Sequence, residues 1–308
     1  MSAGAAALAG LLAVLSTERL EAQEGVLERV APGVLSTERN ETFPSPSPDG
    51  KIVYFSRYED DFDCQTLMVS RRLDGVWSEP EPLPFSGRWG DRAPRLSPDG
   101  TRLFFSSDRP LPGGTHDGYE CHKADAVRPE GRRDFNLWVV EQTVEDSWGQ
   151  PRPVPGVNTP AWDSHAAPTA GGALYFSSTR EGSSLNDLWR AEPGGEDRAV
   201  ANLGAPISTD LRETDVWVAP DESSLIVVIT DHPDGHGGDD LWVSHADTAG
   251  WKALTNLGAI VNTEEYEYGP VVTADGWLWF TSHRRDGIAD IWRIPLAAVP
   301  DLERASGP

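Results

Sequence analysis

Histidines and carboxylates gather in two stretches of the chain. One, Pro110–Phe135, carries His116, Asp117, Tyr119, Glu120, Cys121 and His122. The other, DHPDGHGGDD, carries His232, Asp234, His236 and Asp239. Imidazole nitrogens and carboxylate oxygens at such short spacings can ligate a divalent cation, so His232, His236 and Asp239 form a candidate metal set. The competing reading is a Gly- and Asp-rich loop in which His236 is an ordinary loop residue. No cofactor other than a divalent cation is expected. The sequence holds no GxSxG elbow, no HExxH and no Gly-rich phosphate loop leading into a helix, so it offers no recognisable nucleophile or phosphate chemistry.

A second set of carboxylates is repetitive. Five linkers each end in an acid: LSTERNE at Glu41, FSGRWGD at Asp91, VNTPAWD at Asp163, ISTDLRE at Glu213 and VNTEEYE at Glu267. Each is followed by a turn: SPDG from Ser47, SPDG from Ser97, TAGG from Thr169, APDE from Ala219 and TADG from Thr273. In such turns Pro presets φ, Asp caps and Gly accepts positive φ. A run rich in aromatic and β-branched residues comes next, such as IVYFS from Ile52 or RLFFSS from Arg102, and then a second, such as TLMVS from Thr66 or DLWVS from Asp240. These are strand signatures, and nothing long has helical periodicity. The fourth strand of each unit is Pro-containing and suits a sheet edge.

The turns recur about every 50 residues, within reach of propeller repeats. A four-stranded unit of this kind buries its faces only against its neighbours, which accounts for the Leu-Trp and Phe-Phe or Tyr-Phe pairs. The fold class is therefore all-β: a five-bladed β-propeller of four-stranded antiparallel blades spanning residues 25–296, with 110–135 inserted in blade two and 297–308 a tail. VLERVAPGV, Val26–Val34, matches PRPVPGV before the third linker and is expected to complete the last blade, so that the N-terminal strand closes the ring and leaves no open edge.

In such a blade the linker and the loop between strands two and three share one face. Glu41, Asp91, Asp163, Glu213 and Glu267 crowd that face. So do Arg57, Arg109, Arg180 and Arg284, with His232 in the Arg place of blade four. One reading is a carboxylate ring that binds a cation. The favoured reading is that each acid pairs with an Arg or caps a turn, since a feature of every blade is architectural. Trp89, Trp162, His165, Trp217, Tyr266 and Tyr268 flank these acids. Aromatics beside carboxylates suit a sugar, peptide or cationic ligand, and inter-blade packing is the alternative. Cys64 and Cys121 fall in equivalent loops of adjacent blades, as either a disulfide stapling the insertion or two free thiols.

The runs SPDGTRLFFSSDRP…NLWVV and TDHPDGHGGDDLWVS resemble the PD40, or WD40-like, repeats of TolB-type periplasmic propellers. The resemblance covers Val26 to about Leu296 and implies the propeller fold and a cell-envelope setting. TolB-type proteins commonly have six blades and an additional N-terminal domain, so their partner-binding role does not transfer directly.

With 49 acidic and 26 basic residues the formal charge is -23. This disfavours nucleic acid and anionic membrane surfaces as partners. The apolar run Ala3–Leu15 resembles the core of a secretory signal, so residues 1–24 are expected to be a leader, the mature chain to insert in no membrane, and the protein to be periplasmic or secreted. The expected function is a non-catalytic, monomeric binding propeller contacting an envelope protein or glycan through the linker face. The alternatives are a glycosidase-like enzyme using channel-mouth carboxylates, or a scaffold with a plugged channel.

Overall fold

The computed structural model describes residues 26–113, 121, 135–144 and 147–303. The chain forms five antiparallel sheets in a ring. Blade one comprises Asn40–Pro46, Ile52–Tyr58 and Thr66–Leu73; its fourth strand is split into Val76–Trp77 and Glu81–Pro82. Blade two has Asp91–Leu96, Arg102–Ser107, Asn136–Val144 and the pieces Ser147–Trp148 and Arg152–Pro153. Blade three has Asp163–Pro168, Leu174–Ser178, Asp187–Ala191 and Val200–Asn202. Blade four has Arg212–Val218, Ser224–Thr230, Asp239–Asp247 and the pieces Gly250–Trp251 and Thr255–Asn256. Blade five has Glu267–Val272, Trp277–Arg285 and Ile288–Pro295, and its outer strand is Glu28–Arg29, with Glu28 opposite Arg293 and Arg29 opposite Trp292. The N-terminal strand thus closes the ring.

The core is five wedges between neighbouring blades. Phe104, Leu137 and Val139 of blade two meet Leu174, Phe176 and Trp189 of blade three, for example. Tyr54, Leu67 and Val69 meet Phe105, Trp138 and Val140 in the same way. This is how a sheet with two apolar faces avoids water. The segment read as a tail from residue 297 is packed as far as Leu302. A 3-10 turn at Leu296–Ala298 and a helical turn at Pro300–Glu303 insert Leu296, Val299 and Leu302 into the wedge between blades four and five. Among the described residues no helix is long and apolar enough to cross a membrane.

Each innermost strand carries one bulge at the same place, two residues after the linker acid. The residue there has a left-handed backbone in all five blades: Phe43 (φ 52), Ala93 (φ 51), His165 (φ 55), Asp215 (φ 41) and Gly269 (φ 63). Positive φ is rare outside glycine, so its recurrence marks a built feature, and a bulge re-aims side chains relative to the simple alternation of a strand.

Candidate ligand cavity at the channel mouth

The five linker acids are fully buried. Each fastens its own linker. Thr37 donates to Glu41 from its backbone N (2.8 Å) and its hydroxyl (2.7 Å), and Thr159 treats Asp163 alike at 2.6 and 2.8 Å. Arg57 reaches Glu41 at 2.9 Å, Arg109 reaches Asp91 at 2.6 Å, Arg180 reaches Asp163 at 2.6 Å and Arg284 lies 3.6 Å from Glu267. In blades two, three and five a serine of the second strand also donates to the acid: Ser107, Ser178 and Ser282. Burial pushes the carboxyls of Glu41, Asp91 and Glu267 upward, and these donors oppose it.

Blade four breaks the clamp. Ile229, not a serine, stands opposite Glu213. Counting from it, Asp231 takes the chain position that Arg180 holds after Ser178. His232 replaces only the other half of the Arg role, its ring lying 4.2 Å from that of Trp242 as Arg109, Arg180 and Arg284 lie over Trp138, Trp189 and Trp292. Glu213 retains the Thr209 hydroxyl at 2.5 Å, while its Oε2 has no partner. Burial, with the Asp187 carboxylate adding to it, pushes Glu213 up to about 7.

The bulge residues, by contrast, differ from blade to blade and meet around the channel. His165 Nε2 lies 2.8 Å from Asp215 Oδ1. Gly269 N donates to Asp215 Oδ2 at 3.2 Å. Phe43 of blade one reaches the His165 ring of blade three, with 5.5 Å between ring centres, and the Tyr268 ring at 5.1 Å. In three blades the bulge N–H is held by a hydroxyl of the preceding blade: Phe43 by Thr281, Ala93 by Ser56 and His165 by Ser106. The matching residue of blade four is Val228, opposite Thr214, so the Asp215 carboxylate takes over that duty for Gly269. Below them Arg95 spans from blade two to blade five, its Nη1 donating to Pro270 O at 2.9 Å. Burial lowers Arg95 to about 10, opposed by Asp215.

Above this floor opens a cavity of about 590 Å³. One wall is a row of residues that neighbour one another across strands and blades: Asn186 bridges Arg212, Arg212 faces Thr230, Thr230 faces Asp239, and Asp239 bridges Tyr266. Aromatic rings line the same cavity, those of Phe43, Phe62, Trp162 and Tyr268. Arg92 lies among the rings, 4.1 Å from the Phe135 centre and 4.7 Å from that of Trp162, and 3.4 Å from Asp63. The Thr230 hydroxyl donates to Asp239 at 2.6 Å. Burial, reinforced by the Asp215 carboxylate, pushes Asp239 up to about 6. His283 Nδ1 donates to Gly287 O at 3.0 Å, leaving Nε2 to accept from the Tyr268 hydroxyl at 3.1 Å. Burial holds His283 below its ordinary range and Tyr268 well above its own.

Of the residues singled out by sequence, Trp162, His165, Asp239, Tyr266 and Tyr268 line this cavity. Asp91, Asp163, Glu213 and Glu267, with Arg109, Arg180 and Arg284, lie in the linker clamps instead. Trp89 is half-buried, with the Arg88 guanidinium 4.8 Å above its ring. Trp217 does not share the linker face: it lines cavities at the turn face with Pro220 and Ala274. It comes four residues after Glu213, which at about 3.3 Å per residue carries it to the far end of the strand. The proposed metal set does not assemble. His232 lies on Trp242, His236 is exposed, and only Asp239 faces the cavity. Among the described residues no three metal-ligating side chains come together. His116, Asp117, Tyr119, Glu120 and His122 lie outside the described residues. Cys64 and Cys121 are joined in a disulfide, with Cα atoms 5.3 Å apart. It sits next to Phe62 and Asp63 of the cavity rim.

Sequence reasoning missed Phe43, Phe62, Asp63, Arg92, Asn186, Arg212, Thr214, Asp215, Thr230 and His283. A signal existed: most adjoin repeat-equivalent positions, one or two residues beyond the linker acid or just before the third strand, where the residue type changes in every blade.

No protein-family model matches the sequence, and no curated protein resembles it in sequence. Solved structures do resemble it. TolB from Acinetobacter baumannii shares 18% identity at a TM-score of 0.48, over 85% of this chain and 55% of that one, so the present chain spans only about half the length of that protein. A protein of unknown function from Dyadobacter fermentans shares 16% identity at a TM-score of 0.52, over 92% and 86%. A GH43 endo-arabinanase from Bacillus licheniformis shares 12% at 0.51, over 85% and 96%. What the chain has in common with the last two is the fold alone, here a ring of five antiparallel blades.

Proposed function

We propose that the protein is a binding propeller of the cell envelope that holds one residue of a glycan in the channel-mouth cavity. The observation that carries this reading is that aromatic rings and a row of polar side chains line one cavity. A sugar ring offers apolar C–H faces to aromatic rings and hydroxyls, each both donor and acceptor, to its edge. Phe43, Phe62, Trp162 and Tyr268 supply the rings, and the row Asn186, Arg212, Thr230 and Asp239 holds both donors and acceptors. The cavity volume suits a small ligand, and His165 and Asp215 of its lining are tied to each other before any ligand arrives. An exported location accords with the Cys64–Cys121 disulfide, since such bonds persist in oxidising compartments. Calorimetric titration with a panel of oligosaccharides tests the reading. Saturable binding that Trp162→Ala weakens supports it; heats indistinguishable from dilution across the panel refute it.

One observation favours a second reading, glycoside hydrolysis. Asp215 and Asp239 line one cavity, Asp215 bonded to His165 and Asp239 pushed up to about 6 by burial, and a carboxyl raised in this way is what a general acid beside a second carboxylate requires. Release of reducing sugar that Asp239→Asn abolishes would establish it. Serine hydrolysis is disfavoured. His165 Nδ1 does lie 2.9 Å from Ser164 Oγ and 3.2 Å from Ser177 Oγ, but both serines are fully buried and closed to a substrate.

A further inference from the structure

The polar wall has unmet needs that narrow the ligand. Asn186, a lining residue of the cavity, is only 5% exposed, and its Oδ1 is buried without a hydrogen-bond partner among the described residues. Asp239 Oδ1 is taken by Thr230, and its Oδ2 accepts no hydrogen bond from the described residues. The unmet group at Asp239 is an acceptor, so what is missing there is a donor.

The charges point the same way. Three carboxylates, Asp63, Asp215 and Asp239, face the cavity. Arg92 is engaged by Asp63 and stacked against Phe135 and Trp162. His165 is turned to Asp215. That leaves Asp239 with the exposed Arg212 as its counter-charge, and with Asp215 as a repelling neighbour. The phenol rings of Tyr266 and Tyr268 lie beside it, and ring faces attract a cation. An ammonium carries three donors and no acceptor and is the group that fits Asp239. Hydroxyls remain the match for the donors of the exposed Arg212, which sets a sugar apart from a lysine side chain.

We infer that the cavity selects an amino sugar with a free, unacetylated ammonium, which Asp239 Oδ2 receives. This rests on the glycan-binding reading. Calorimetry on the full chain at pH 7 compares the β-1,4 trimer of glucosamine, its fully N-acetylated counterpart, cellotriose and trilysine, with Trp162 fluorescence as a second readout. The glucosamine trimer is expected to bind at least about ten-fold tighter than the other two sugars, the size of one charged hydrogen bond. Asp239→Asn, checked for folding by circular dichroism, is expected to erase that difference. Should the three sugars bind alike, or the acetylated one bind best, the ammonium assignment falls and the glycan reading stands. Tightest binding of trilysine, or no binding by any sugar, overturns both. The comparison on the unaltered protein decides the matter even if the variant does not fold.

Discussion

The imidazole of His165 and the carboxylate of Asp215 meet at 2.8 Å, joining blades three and four across the floor of the cavity. Both side chains are nearly buried, and both leave strands at left-handed bulge residues. The contact fixes the floor that the proposed ligand would rest on.

Breaking this pair from one side strands the other. His165→Ala leaves the Asp215 carboxylate with only the Gly269 N–H, and is expected to cost about 2–4 kcal/mol in urea unfolding. A double-mutant cycle with Asp215→Asn should show coupling of about 1 kcal/mol or more, where independent residues would add.

Glu213 should make the fold less stable as pH rises. Its carboxyl titrates near 7 in the folded chain against an ordinary 4.5, so the folded state binds the proton more tightly. The stabilising contribution is complete below about pH 4.5 and is lost as pH climbs through 7. Glu213→Gln, which keeps an acceptor for Thr209, is expected to raise stability at pH 8 by about 1–2 kcal/mol and to change little at pH 5. Thermal unfolding at the two pH values reads the difference; an equal shift at both would discount the charge.

The regular clamps should respond in the opposite sense. Asp163→Ala removes the acceptor of Thr159, Ser178 and Arg180 together and leaves a buried guanidinium unpaired, an expected loss of about 3–5 kcal/mol. Because Asp163 is fully buried, ligand affinity of the folded fraction is expected to change far less than with Trp162→Ala.

Gly269 is the one bulge residue without a side chain, and it is crowded by Phe43. Its φ of 63 disfavours a side chain, and an added Cβ would meet Phe43 Cδ1 at 2.9 Å. Gly269→Ala is expected to cost about 1–3 kcal/mol and to displace Phe43, lowering Tm and altering near-ultraviolet circular dichroism.

The blades were legible because turns such as Ser97–Gly100 and the Leu-Trp pairs repeat their chemistry, and the closure was legible because Val26–Val34 repeats the approach to a linker. The clamps were legible as acids and arginines recurring in step. The cavity was harder to read because its residues are the ones that do not repeat. Alternation would place Phe43 on the same side as Glu41, yet the bulge between them sends the acid into the clamp and the phenyl ring into the channel. His165 and Asp215 are fifty residues apart and meet only because the ring brings neighbouring bulges together. The histidines of the Gly-rich loop drew notice by composition, whereas the neighbouring Asp239 is placed by its register with Thr230.

Blade five joins an early strand to a late one: Glu28–Arg29 pairs with Ile288–Pro295. During synthesis the early strand emerges first and must wait for nearly the whole of the remaining sequence before its partner exists. Until then the nascent protein is an open arc of blades, its first outer strand unmatched and its cavity without the wall that Tyr266 and Tyr268 provide. The lining of the proposed ligand site is therefore complete only with the final turn of the ring.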